Sequence, residues 1–233
     1  MTEIDQRANV VELQARWDKI RVANIYDTLD KMGYPNQCLD LKIKPLFPKQ
    51  HLAGMAVTAR GGRDPRLQGE PGTDFNGFAA VNDLCFPGCV VVIDCGDEPV
   101  SGKFGEMTSW SLKQHGARGF VSNSYIRDYL GLEVIPDFTV CAIGTTPIES
   151  AKRWRIHETG VPIAMPGTLT SQIRVAPGDW VIGEVDGVIV VPQEIALEAL
   201  VKAEEVEASE QGMREDFARG MSFEEAYKKW GRA

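Results

Sequence analysis

Glu106 is followed, after twenty intervening residues, by the adjacent pair Arg127-Asp128. The two carboxylates are hard oxygen donors, which suit Mg2+ or Mn2+ better than a soft metal. The guanidinium is a planar fork that can grip a carboxylate through two hydrogen bonds. Residues 105–108, Gly-Glu-Met-Thr, open a predicted helix, and the free N–H groups of such a first turn also favour an anion. Taken together these residues read as an anion and metal site. Each also has an ordinary use. Glu106 suits the positive end of a helix, Asp128 could cap a short helix formed by the residues after it, and Arg127 could make a surface ion pair. Lys103 stands just before the helix and is a formal Schiff-base candidate. On a Gly-rich loop it is expected at the surface instead. Cys85 and Cys89 are four apart, yet none of the three histidines (51, 115, 157) sits at matching zinc-finger spacing. Free thiols, buried or half-buried, are the expectation.

The elements that must hold these residues follow from periodicity. Residues 89–94, CVVVID, form a short apolar run between turn residues, the pattern of a strand at the centre of a sheet. A Gly-rich loop over 95–103 leads to a helix from about Gly105 to His115-Gly116, and 117–126 read as the next strand. Two neighbouring strands joined by that helix would bring its N-terminus and Arg127-Asp128 to one end of the sheet. Helical spacing over 4–33 ends at Gly33 with Pro35 behind it. Residues 44–49 read as an edge strand or loop, 51–60 as a strand ending in Gly61-Gly62, 63–73 as a loop and 74–86 as a helix. Further strands are expected at 139–143 and 161–165, with three more in 171–192 parted by turns. The tail is predicted helical from about Pro192 to Ala218, and Ser222-Phe-Glu-Glu225 has the form of a capping box opening a last helix.

The 233 residues are 43% hydrophobic and 25% charged, with a formal net charge of −8, which is ordinary globular composition. A net negative charge argues against a nucleic-acid partner. No apolar run approaches the roughly 20 residues of a membrane helix, and the N-terminus carries no signal-peptide pattern. Five cysteines, an odd number, argue against a disulfide scaffold and for a cytoplasmic setting. Phosphate-loop, dinucleotide-fingerprint, nucleophile-elbow and zincin motifs are all absent from the sequence. The order of elements predicts one α/β domain with helical arms, which, having nothing else to pack on, would contact a neighbouring copy.

The spacing of Glu106 and Arg127-Asp128 resembles the acid-x20-Arg-Asp motif of the RraA-like family. The flanks agree: Pro87-Gly88 before CVVVID, GARG at 116–119 before the second strand, and PGDWVIGEVDGVIVVP at 177–192. The resemblance runs from about residue 20 to the C-terminus. It implies a swivelling β/β/α-type domain over 1–233, with an N-terminal helical arm over about 1–33 and a C-terminal arm over 193–233. The family includes 4-hydroxy-4-methyl-2-oxoglutarate/4-carboxy-4-hydroxy-2-oxoadipate aldolases and the regulator of ribonuclease activity A.

By this resemblance, Asp128 contacts a divalent metal, Mg2+ or Mn2+, and Glu106 holds metal-bound water. Arg127 binds the substrate and polarises its keto oxygen, and the backbone of Gly105, Glu106, Met107 and Thr108 takes the carboxylate of the pyruvyl half. The implied activity is that of a lyase, a class II pyruvate aldolase acting on 2-oxo-4-hydroxy acids, with oxaloacetate decarboxylation as a side activity. The alternative is a non-catalytic regulator that binds a protein such as ribonuclease E. The regulators lack the acid before the spacer, so Glu106 favours the enzyme. A homotrimer or hexamer with its site at a subunit interface is also implied, with a glutamate donated from a neighbour's tail helix. Glu204, Glu205 and Glu207 lie in the right region. This chain departs from the family pattern at Glu106, where Asp is usual, at Asn123-Ser124 in place of Asp-Gly, at Glu184 in place of Asp, and in the loop over 61–73.

Overall fold

The apolar run at 89–94 forms the strand at the heart of the sheet, and its neighbours follow from which faces it must bury. The computed structural model describes residues 5–66, 69–73, 76–98 and 100–231. Its strands are β1 (Lys44–Pro45), β2 (Leu52–Arg63), β3 (Cys89–Asp94), β4 (Ala117–Ser122), β5 (Tyr125–Ile126), β6 (Thr139–Ala142), β7 (Gly144–Thr145), β8 (Trp154–Thr159), β9 (Ile163–Pro166), β10 (Gln172–Val175), β11 (Trp180–Glu184) and β12 (Gly187–Val191). The helices are α1 (Val10–Trp17), α2 (Val22–Lys31), α3 (Gly77–Leu84), α4 (Glu106–Gln114), α5 (Tyr129–Glu133), α6 (Ala196–Ala218) and α7 (Phe223–Trp230).

The main sheet runs β1-β6-β4-β3-β2-β11-β12, with β8 paired to the far half of β2. Strands β2, β3, β4 and β6 are parallel, and α3, α4 and α5 lie in the connections between them. β3 is buried on both faces. Val91 and Ile93 join Leu112, Phe120 and Phe138 on the side of α4, while Val90 and Val92 join Ile163, Met165 and Val175 from the β9–β10 hairpin. A strand covered on both sides has no polar alternation to show, which explains its unbroken apolar sequence.

The terminal helices do not stand away from the fold. Val10, Leu13, Trp17, Ile25 and Leu29 pack with Ala199, Leu200 and Ala203 of α6 against Trp180 and Ile182 of β11. Arg16 clamps Glu204 through two hydrogen bonds of 2.8 and 2.7 Å, tying α1 to α6. The premise that the arms lack a partner within the chain is therefore corrected. Their apolar stripes match a sheet face that the sequence order alone did not reveal. The capping box at the start of α7 forms as expected: the Ser222 hydroxyl accepts from the Glu225 amide, and the Glu225 carboxylate accepts from the Ser222 amide. α7 is held to α6 by Asp216, 2% exposed, which accepts from Lys229 and Trp230.

Several boundaries differ from the sequence expectation. β2 continues through Gly61-Gly62 to Arg63, because β8 pairs with that half, and a Cβ at Gly61 would overlap the Trp154 ring. β8 carries no strand signal in its sequence, since only Trp154 and Ile156 of WRIHET are buried. α3 begins at Gly77, where the Asn76 side chain accepts from the Ala79 amide at 3.1 Å; residues 74 and 75 lie outside the described residues. The strand expected over 117–126 breaks at Asn123-Ser124. The Asn123 side chain there accepts from the Cys95 amide (2.8 Å) and donates to Asp94 (3.0 Å), joining the ends of β3 and β4. Glu184 accepts from the Val22 amide at 3.0 Å and so satisfies a free donor at the start of α2.

Candidate active site

α4 begins at Glu106, and Gly105 is an extended residue at its N-cap rather than in the expected first turn. Glycine has no side chain to cap the helix. The Thr108 hydroxyl accepts from the Gly105 amide at 2.9 Å, but the amides of Met107 and Thr108 find no side-chain acceptor among the described residues. They form an open donor pair at the positive end of a nine-residue helix.

Asp128 faces this end. It occupies the N-cap position of α5 but makes no capping hydrogen bond. Its backbone is left-handed, with φ of 61°, a conformation that Asp tolerates better than most residues. Its Oδ2 lies 3.3 Å from the Glu106 amide, which donates to it. The capping use of Asp128 is thus excluded by geometry: the carboxylate serves the start of α4, not that of α5. The Glu106 side chain lies over Gly131, where a Cβ would overlap its carboxylate. Arg127 donates its amide to the Phe104 carbonyl at 2.8 Å, and its stem rests on Gly102, where a Cβ would overlap Arg127 Cγ. Its Nη1 is 3.8 Å from Glu149 Oε1, and its buried Nε has no partner among the described residues. A donor left unpaired in a buried setting is costly unless something else satisfies it.

The expected convergence is therefore present: the N-terminus of α4 and the Arg127-Asp128 pair meet at one end of β3 and β4. Among the described residues, no group of three or more His, Cys, Asp or Glu could hold a metal by itself. Asp128 with Glu106 nearby fits a cation that keeps most of its own water, as Mg2+ does. Close approach at Gly105 also matters, because a Cβ there would overlap Asp128 Oδ2. The Gly105→Ala variant is expected to lower Mg2+ affinity several-fold by displacing that carboxylate, while stability changes by less than about 1 kcal/mol, since its backbone is open to any residue. Calorimetric Mg2+ titration and thermal unfolding of the variant measure the two effects separately.

Lys103 overturns one expectation. It is not at the surface: its side chain is 0% exposed and paired with Glu98. The ammonium donates to the carbonyls of Glu98 (2.7 Å) and Ser101 (2.9 Å) and to the Glu98 carboxylate. A Gly-rich sequence signals a loop, but not that the loop folds over its own lysine. Burial by itself would raise the Glu98 carboxyl, yet hydrogen bonds from Lys103 and Ser101 hold it down at about 2. A carboxyl lowered in the folded state stabilises the fold above its unfolded value of about 4.3 and loses that contribution as pH falls through its folded value. Stability measured by urea unfolding should therefore fall between about pH 5 and pH 2, and Glu98→Gln should flatten that fall.

The cysteines are all free. Cys89, Cys95 and Cys141 are buried, and Cys38 and Cys85 are half-buried. Of the tail glutamates, Glu204 is taken by Arg16, and Glu207 by the Arg21 amide, Asn24 and Arg214; Glu205 is exposed. No local sequence pattern marks the ties to Arg16 and Asn24, because those partners lie some 180 residues away in the chain. The loop after β2 is pinned by Asp64, whose carboxylate meets Arg66 at 2.7 Å and Arg155 at 3.1 Å.

The family model described as RraA-like, Aldolase/RraA, matches residues 22–190. The chain belongs to the RraA-like family. A relative from Halalkalibacterium halodurans, named "Putative 4-hydroxy-4-methyl-2-oxoglutarate aldolase", is 30% identical over 187 residues, 80% of each chain. A protein of the same name from Cupriavidus taiwanensis is 34% identical over 44% of this chain and 58% of its own. Among solved structures, an uncharacterized protein from Pseudomonas syringae pv. tomato superposes with a TM-score of 0.77 at 21% identity, covering 97% of this chain and 99% of that one. A Streptomyces coelicolor structure titled an unusual member of the RNase ES inhibitor RraA protein family gives 0.72 at 24% identity, over 90% and 96%. These two likenesses establish the RraA-like α/β fold. Among the described residues, no helix is long and apolar enough to cross a membrane.

Proposed function

We propose that this RraA-like protein is a divalent-metal-dependent pyruvate aldolase that cleaves 2-oxo-4-hydroxy acids to pyruvate and a carbonyl product. The observation that carries the reading is the 3.3 Å contact of the uncapped Asp128 carboxylate with the Glu106 amide, beside Arg127. The name of the Halalkalibacterium relative supports it. Asp128 would hold the cation, with Glu106 acting on its water. When bound, a divalent cation supplies Lewis-acid polarisation of the substrate's carboxylate and keto oxygens.

The chain's own groups do the rest. The open amides of Met107 and Thr108 take the C1 carboxylate, and Arg127 faces the C2 keto oxygen. Glu106, through an ordered water, takes the proton of the C4 hydroxyl. The C3–C4 bond then breaks, and its electron pair runs toward the keto oxygen. The resulting enolate is stabilised by the Arg127 fork, and protonation at C3 gives pyruvate. Loss of CO2 from oxaloacetate leaves the same enolate, so decarboxylation belongs to the same site. A panel of 2-oxo-4-hydroxy acids assayed for pyruvate release with and without Mg2+ tests the reading.

The alternative, a regulator that binds ribonuclease E, needs neither the acid at Glu106 nor the uncapped Asp128. Tight, metal-independent binding to ribonuclease E with no lyase activity on any acid of the panel would establish it instead. A homotrimer, or a hexamer of two trimers, is proposed on the family resemblance, with the site at a subunit cleft; a cytoplasmic setting is proposed on the five free cysteines. Light scattering at micromolar concentration should give three or six times the chain mass, and a stable monomer would rule out a shared site.

A further inference from the structure

Lys103 is a buried cation that no step of the proposed reaction uses. Its hydrogen bonds go to the Glu98 carbonyl and carboxylate and to the Ser101 carbonyl, and the Ser101 hydroxyl lies 3.2 Å away. The Glu98 carboxylate also accepts from the amides of Val100 (3.3 Å) and Ser101 (3.1 Å). The loop is thus closed on itself by one ion pair. The Trp154 ring lies over the ammonium, its centroid 5.8 Å from Nζ, and the indole N–H donates to the Cys95 carbonyl at 3.0 Å. A buried ion pair is weak evidence for stability, because apolar replacements often serve as well. What this pair does provide is a defined loop shape.

That shape bears directly on Arg127. The Lys103 amide donates to the Tyr125 carbonyl at 3.1 Å, and the Arg127 amide donates to the Phe104 carbonyl at 2.8 Å. Residues 102–104 therefore lie alongside 125–127, and Gly102 meets the Arg127 stem with no room for a Cβ. The guanidinium has little else to aim it: Glu149 is 3.8 Å away, and Nε has no partner among the described residues.

We propose that the Glu98–Lys103 pair is a positioning device, which locks the loop so that Gly102 backs Arg127 and aims its guanidinium at the substrate. The proposal rests on the reading of Arg127 as the substrate-binding cation. Glu98 and Lys103 touch no substrate; they act through Gly102 and Arg127. Displacing a reacting or binding group by about an ångström can cost up to about 10²-fold, so a loosened loop has a measurable effect.

The test compares Lys103→Met and the double variant Glu98→Gln/Lys103→Met, each with Arg127 intact and with Arg127→Ala. Three quantities are read: kcat and KM for pyruvate release, oxalate affinity in the presence of Mg2+, and Mg2+ affinity alone. With Arg127 intact, both variants should lose about tenfold in oxalate affinity and in kcat/KM, with Mg2+ affinity unchanged. With Arg127→Ala, neither should lose anything further. The double variant leaves no unpaired buried charge, so it keeps the test valid if Lys103→Met fails to fold. An equal loss in both backgrounds, or no loss in the folded double variant, overturns the proposal. A wild type that binds oxalate with this coupling but releases no pyruvate overturns the aldolase reading and leaves the positioning role standing. A wild type that does neither overturns both.

Discussion

EDTA is expected to abolish pyruvate release, and Mg2+ or Mn2+ to restore it, while borohydride added with substrate traps no adduct. Cleavage of the C3–C4 bond leaves a negative charge on the keto oxygen, and a divalent cation contributes several kcal/mol to stabilising such a charge. Each 1.4 kcal/mol is about tenfold in rate, so metal removal should cost about 10²- to 10⁴-fold. A Schiff-base route would need a neutral amine that reaches the substrate. Lys103 is the lysine nearest the site in sequence, and its ammonium is buried, paired with Glu98 and hydrogen-bonded to two carbonyls. Those partners already occupy its nitrogen inside the loop. Asp128→Asn should lower Mg2+ affinity by at least about tenfold, because affinity for a hard cation follows the charge of its ligands. Full activity in EDTA, or a borohydride adduct at Lys103, would assign the protein to the other class of aldolase.

Arg127→Lys is expected to lower kcat by about 10²-fold or more, on the scale of losing one preorganised oxyanion donor. The variant keeps the positive charge. What it loses is the planar fork, which can meet carboxylate and keto oxygen at once. An ammonium on a shorter, rounder head cannot present two parallel donors in the direction set by the Gly102 contact. The loss should fall on kcat more than on KM, because the charge on the oxygen is full only as the bond breaks. Steady-state kinetics of the variant on the best acid of the panel measures the split. Wild-type kcat in Arg127→Lys would mean that the guanidinium does not face the developing charge.

Much of this was legible in the sequence because local chemistry wrote it there. The CVVVID strand had to be central, since an apolar run with no alternation fits only a strand covered on both faces. Helix ends were marked by Gly33 and by Ser222 with Glu225, whose φ and hydrogen bonds are those the residue types favour. The convergence of Glu106 with Arg127 and Asp128 followed from counting a strand, a helix and a strand between them. Tertiary structure alone decided the matters that depend on partners far away in sequence. Whether Asp128 caps α5 or turns to α4 is settled by a left-handed backbone and by the missing side chain at Gly105, neither of which shows in a one-dimensional pattern. Glu204 and Glu207 are ties to α1 and α2 within the chain, because α6 packs on helices from the other end of the chain. A Gly-rich loop predicts an exposed Lys103, because loops usually run over the surface. It is buried because Glu98, only five residues before it, folds back to meet it beneath Trp154, a ring supplied by a strand that sequence periodicity did not mark.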